Sequence, residues 1–279
     1  MSSNTKNNDT SLWDHYRHVI RSSIGGWKIG EAVYNHGYSM LDELVGNLSY
    51  MQVIVLNATG RIPDKQFSEL IEAMHICMSW PDPRIWCNQI GALGGSNRTT
   101  PLAATTAGIL ASDARMYGTK PLLEGVKFIN DALHMHRSGH SVEEIIDQEC
   151  AKNAGKPYLM GYARPIAKGD ARISAMEKLQ NKLDIDVGEH QKLAYSINNI
   201  LWARFKETMN FCGYLSAVMA DHEYTPIDVY RLFSILVCSG VTACYVDAIN
   251  KPAEAFLSLR CDDIDYQGKA PRKLPSKST

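Results

Sequence analysis

Between Met160 and Arg172 the chain reads M-G-Y-A-R-P-I-A-K-G-D-A-R. Arg164, Lys168 and Arg172 place three cations within nine residues, and Asp170 adds a carboxylate. Guanidinium and ammonium groups are the donors suited to phosphates and carboxylates, so a loop of this make-up can cradle an anion. The same run also reads as a solvated, charged turn. Residue types alone leave both open.

Other groups capable of chemistry are scattered. His134, His136 and His140 lie in H-M-H-R-S-G-H. On a helix the first two do not face each other, so the run reads as a solvated helix end rather than a metal site. His75 sits in an apolar helical pattern and reads as a core residue. Asp262 and Asp263 are adjacent, and neighbours in a regular element point apart, which argues against a paired acid and base. There is no P-loop, dinucleotide fingerprint or nucleophile elbow. The seven cysteines are odd in number and form no C-x-x-C pair, so buried reduced thiols are expected rather than disulfides or zinc.

Composition sets the frame. The 279 residues are 45% apolar and 21% charged, with a net charge of −1. That is ordinary globular balance, with no field favouring nucleic acid or an anionic membrane. No long uncharged apolar run is present, and M-S-S-N-T-K-N-N-D-T-S lacks the apolar core of a signal peptide. The expectation is a cytoplasmic protein with no membrane partner.

Helices must position the loop. Apolar spacing predicts helices from Trp13 to Ile24 and from Ser49 to Thr59, with Gly60 as a stop, and a helix opened by Pro63-Asp64. Trp80 to Arg84 carries two prolines and cannot be helix interior. Cys87 to Gly118, rich in small residues, predicts one or two buried helices broken near Gly94-Gly95. Leu122 to Met135 follows, then a capping box at Ser141. Beyond the loop, helices are expected over 174–183, over 189–215 as one long element, from Thr225, and over most of 240–259. Strands are nearly absent from the pattern. The fold class is all-α.

Three stretches, taken in order, resemble the citrate synthase superfamily, and in particular its citryl-CoA lyase branch. From His36, H-G-Y-S-M-L-D-E-L is followed by S-Y-M-Q-V-I-V-L-N-A-T-G-R-I-P, ending at Pro63, similar to the family's R-G-Y and G-R-L-P patterns. Met160 to Arg172 resembles the family's G-H-x-V…D-P-R loop. Cys261 to Tyr266, C-D-D-I-D-Y, resembles the W-D-D-I-S-Y ending of citryl-CoA lyase modules. The resemblance spans about residues 25 to 268. It implies a large helical domain over 25–155 and 221–268, a small helical lobe at 156–220 that closes over coenzyme A, an N-terminal segment 1–24, a tail at 269–279 and a homodimer. It also implies making or cleaving a C–C bond beside a thioester, with acyl-CoA as substrate and no tightly bound cofactor or metal. That chemistry needs a base for the α-proton, donors for the enolate oxygen and cations for carboxylates.

The resemblance fails at the catalytic positions. Pro83 stands where the family's oxo-acid-binding His is expected. Tyr117 and Arg164 replace two further histidines, the first of which lyase modules also lack. Met209 replaces the Asp base, and Glu207, placed on a helix, would point roughly 200° away from it. Methionine is a poor proton acceptor and arginine stays protonated. What the resemblance leaves is cationic: Lys168 and Arg172 facing phosphate, Arg164 and Arg260 facing a carboxylate, with Arg164 and Tyr117 as candidate electrostatic and hydrogen-bonding catalytic groups. Two expectations stand side by side, a divergent enzyme with a rebuilt site and a non-catalytic binding or subunit-partner protein that keeps the fold. Met209 also reads as core packing.

Overall fold

Helical periodicity dominates the sequence, and the computed structural model, which describes residues 9–163 and 169–274, is correspondingly helical. In chain order the helices are α1 (Ser11–Tyr16), α2 (Tyr50–Thr59), α3 (Lys65–Met78), α4 (Trp86–Ser96), α5 (Pro101–Ser112), α6 (Thr119–Arg137), α7 (Val142–Lys152), α8 (Ala171–Lys182), α9 (Glu189–Phe205), α10 (Phe211–Asp221), α11 (Pro226–Leu232) and α12 (Cys238–Ile249). Between α1 and α2 lies a small antiparallel sheet, β1 (Gly25–Lys28), β2 (Ala32–Asn35) and β3 (Tyr38–Ser39), with Trp27 opposite Val33.

The sheet is small, ten residues in all, in keeping with the expectation that strands are nearly absent. Its residues are exposed or half-buried on both faces, so no alternation of apolar and polar residues marks it. Helix α1, by contrast, stops at Tyr16 rather than Ile24. None of its side chains is buried, so no packing rewards further turns.

The chain forms two compact units, Met1–Met78 with Asp113–Leu236, and Ser79–Ser112 with Val237–Thr279. Residues 156–220 lie wholly inside the first.

The first unit is centred on α10. From Gly213 to Ala220 every residue of this helix is buried, and no charge occurs before Asp221. Around it pack Leu70, Ile71 and Met74 of α3, Leu122, Val126 and Ile129 of α6, and Ile197 and Leu201 of α9. Capping boxes start three helices: Ser49 with Gln52, Ser141 with Glu144, and Thr225 with Asp228. The expected single helix 189–215 is two. Lys206 turns left-handed at φ 60°, and Asn210 caps α10 by accepting from the amides of Cys212 and Gly213. The start of α9 borrows its cap from α10: Asp221 accepts from the His190 amide at 2.8 Å and the Gln191 amide at 3.0 Å.

The second unit packs α4, α5 and α12 through small residues. A Cβ at Gly95 would stand 2.4 Å from the Tyr245 carbonyl oxygen, so α4 and α12 approach at a distance that only glycine permits. The break between α4 and α5 falls at 97–100, just beyond the expected glycines. Of the stretch 240–259, expected to be mostly helical with an interruption at Pro252, the helix ends at Ile249. There Arg98 binds the Ile249 and Lys251 carbonyls, and the following chain folds back so that the Phe256 amide donates to Ser96 Oγ at 3.2 Å.

Candidate functional site

Two connecting segments of the first unit, 161–163 and 206–210, are laced together by their backbones. The Ala163 amide donates to the Thr208 carbonyl at 2.8 Å, and the Asn210 amide donates to the Gly161 carbonyl at 2.9 Å, a bridge that pairs Tyr162 with Met209. Asn210 Nδ2 adds a bond to the Ala163 carbonyl at 2.8 Å. Beyond Lys168 the same partner returns, because the Gly169 amide donates to Thr208 Oγ1 at 3.1 Å. Both flanks of the cationic run are therefore anchored on Thr208. The crossing is tight: a Cβ at Gly161, whose φ is +89°, would lie 2.6 Å from Gly213 Cα.

The loop ends on an ion pair. Arg172 donates from Nε to Asp170 Oδ1 at 2.8 Å and from Nη2 to Oδ2 at 2.6 Å. Asp170 is 1% exposed at its side chain, caps α8, and accepts the Phe211 amide at 3.1 Å. Arg172 also reaches the Cys77 carbonyl at 3.3 Å and stacks over the Phe211 ring at 4.7 Å. One guanidinium thus ties the end of α3 to the starts of α8 and α10. Its side chain remains 23% exposed.

The nearby thiols and phenols are held protonated. Burial pushes the Cys212 thiol up to about 12 and raises the Cys77 thiol. Burial likewise raises the phenol of Tyr162, which donates to the Ala194 carbonyl at 3.0 Å. Tyr214 rises for the same reason and donates to Gln180. These thiols and phenols offer no base at neutral pH.

The expected site residues fall as follows. Arg164 and Lys168 lie outside the described residues. Met209 is 4% exposed and belongs to the core, with its amide bonded to Asn198 Oδ1 at 2.8 Å. Glu207 is not helical but sits in the connector, which corrects the helix-based account of its direction. Tyr117 closes a four-residue turn with Ala114, half-buried, at the entrance to α6. In the second unit, Pro83 is exposed in the turn before α4. Beside it Asp82 is held at about 2 by its hydrogen bonds from Arg84. Arg260 is exposed, and its amide donates to Asp263 Oδ2 at 2.7 Å.

Residue types did not announce Thr208, Asn210 or the Gly161–Gly213 crossing; Asn210 in an otherwise helical pattern was the available signal. Nor did they announce an open pocket of about 220 Å³ in the first unit, lined among others by Arg61, Asp64, Phe67, His222 and Tyr224. There Arg61 donates to the Glu223 and His222 carbonyls and lies over Tyr224 at 4.4 Å, which fastens the residue after Gly60 to the end of α10. His75 bonds the Ile71 carbonyl and stacks on Phe233, a core role. Among the described residues no cluster suits a metal ion, and no helix is long and apolar enough to cross a membrane.

The helical arrangement is that of the citrate synthase fold. It is similar to citryl-CoA lyase from Hydrogenobacter thermophilus, with a TM-score of 0.77 and 24% identity over 92% of this chain and 98% of that one. ATP citrate lyase from Methanothrix soehngenii, solved with citrate and coenzyme A, matches with a TM-score of 0.73 and 15% identity; 98% of this chain covers 45% of that one. Citrate synthase from Thermoplasma acidophilum, solved with carboxymethyl coenzyme A and oxaloacetate, matches with a TM-score of 0.59 and 15% identity over 82% of this chain and 59% of that one. No protein-family model and no curated protein matches the sequence.

Proposed function

We propose that this chain is a divergent citryl-CoA lyase-like protein of the cytoplasm that binds an acyl-CoA or a related carboxylate-bearing molecule, makes or cleaves a C–C bond beside the thioester, and works as a homodimer. The observation that carries the reading is the fold likeness to citryl-CoA lyase along nearly the whole of both chains. In this reading Lys168 and Arg172 meet phosphate, while Arg164 and Arg260 meet carboxylate. Arg164 and Tyr117 replace proton transfer with fixed charge and a hydrogen bond. The cationic run supports it through its setting, since both flanks are held by Thr208.

A second reading, a binding or subunit-partner protein without catalysis, is favoured by Met209. At the position the resemblance gives to the base, the side chain is core.

Calorimetry with coenzyme A and acetyl-CoA tests both. Binding is expected, and its absence at millimolar ligand removes the coenzyme A reading. Exchange of thioester α-protons with deuterated water then separates the two: binding without exchange across a panel of acyl-CoAs leaves the non-catalytic protein. Arg164→Ala is expected to weaken an anionic ligand by about 1.5–3 kcal/mol.

A further inference from the structure

At the C-terminal end of α10, polar groups of the first unit gather that make fewer bonds than they can. The open pocket of about 220 Å³ there is lined among others by Arg61, Asp64, Phe67, His222 and Tyr224. Arg61 and Asp64 share it without forming an ion pair. The guanidinium gives one donor each to the Glu223 and His222 carbonyls, which leaves three of its five. Asp64 Oδ1 accepts the Phe67 amide at 2.7 Å, and Oδ2 has no partner among the described residues. Tyr224 is 3% exposed, yet its hydroxyl makes no hydrogen bond to any described residue and stays open to solvent. The His222 ring nitrogens are likewise unbonded, and the imidazole lies flat on Phe67 with ring centroids 3.6 Å apart. Burial lowers its pKa, so at neutral pH it is an uncharged donor and acceptor rather than a second cation.

We infer that this pocket binds a small zwitterion, a free α-amino acid, with its carboxylate on Arg61 and its ammonium on Asp64. Charge decides the class of ligand. A cation and a carboxylate at one mouth, not paired with each other, are both satisfied by a molecule that carries both signs. An anion alone would meet Asp64, and a cation alone would meet Arg61. Asp221 adds a second carboxylate that acts on His222, which weighs further against a phosphate. The Tyr224 hydroxyl and the neutral imidazole supply the additional donors and acceptors that a carboxylate and an ammonium use. Size points the same way. At about 30 Å³ per water the pocket has room for roughly seven waters, the bulk of a small amino acid. It falls below the roughly 300–1,000 Å³ of sites for larger ligands, so an adenine nucleotide does not fit. The connector crossing and the cationic run lie at the other end of α10, 11 residues and about 16 Å of helix away. The pocket is thus separate from the candidate site and does not rest on the coenzyme A reading.

The test is calorimetric titration of the full chain with the standard L-amino acids, one at a time, beside analogues that keep a single charge. For L-alanine these are L-lactate, which lacks the ammonium, and L-alaninamide, which lacks the carboxylate. At least one amino acid is expected to bind at millimolar concentration or below, its hydroxy acid and its amide each weaker by about tenfold or more. Two substitutions locate the site. Asp64→Asn keeps an oxygen for the Phe67 amide and removes the charge, and Tyr224→Phe keeps the ring and removes the hydroxyl. With helical circular dichroism unchanged, Asp64→Asn is expected to weaken the amino acid by about tenfold or more and Tyr224→Phe severalfold. Should one variant lose its fold, the other decides. Failure of every amino acid to bind overturns the inference, and so does equal binding of the hydroxy acid or the amide. An amino acid whose affinity survives both substitutions binds elsewhere and overturns this pocket as its site.

Discussion

Asp170 and Arg172 clasp each other across a single intervening residue, with two parallel N–H···O bonds of 2.8 and 2.6 Å. Because Asp170 is nearly inaccessible at its side chain and also caps α8, the pair is a fastening as much as a candidate anion site.

Breaking that clasp costs most from the arginine side. Arg172→Ala removes the guanidinium from a carboxylate that is 1% exposed and is expected to lower unfolding free energy by about 3–5 kcal/mol, whereas Asp170→Ala, which leaves the partly exposed Arg172 its Cys77 carbonyl and Phe211 ring, is expected to cost less. The double variant should cost less than the sum, since neither charge then remains. Urea unfolding of the four proteins measures the coupling; simple additivity would mean that the two side chains do not act as a pair.

The crossing of the two connectors leaves no room for a side chain. A Cβ at Gly213 would sit 2.4 Å from the Gly161 carbonyl oxygen and 2.9 Å from Met209 Cγ. Gly213→Ala is therefore expected to destabilise by about 1–3 kcal/mol through overpacking. Thermal unfolding reports it, and an unchanged midpoint would contradict the close approach.

Met209→Asp separates position from chemistry. Supplying the missing carboxylate at a 4%-exposed core site is expected to cost about 3–5 kcal/mol, with no solvated base gained. Chemical denaturation measures the cost. A fully stable Asp variant that exchanged thioester α-protons would show instead that the side chain reaches the ligand.

Stability should fall on acidification through histidine. Burial lowers the pKa of His75 below its ordinary 6.5, and burial lowers that of His222. The unfolded chain then binds more protons than the folded one once pH drops below about 6.5, so stability is fully present above that pH and declines towards the folded pKa. His75→Phe keeps a ring on Phe233 and removes one titration. The slope of unfolding free energy between pH 7 and pH 5.5 should be shallower in this variant than in the unaltered protein.

Much of the frame was legible in the order of residues. Helical spacing, the capping box at Ser141, the Thr225 cap and the glycine stop at Gly60 are local signals, written within a few residues of the structure they cause. The all-α class and the cationic run between helices followed from such signals, and so did Met209 as a residue that packs. The small sheet was not legible, because its strands bury neither face. The break of 189–215 was not either, because the connector is held by Asn198, Gly161 and Ala163 rather than by its neighbours. Only the tertiary structure decided that Thr208 anchors both flanks of the cationic run and that Arg172 is shared among three helix ends. These are contacts between residues tens of positions apart, and no spacing rule within a single segment encodes them.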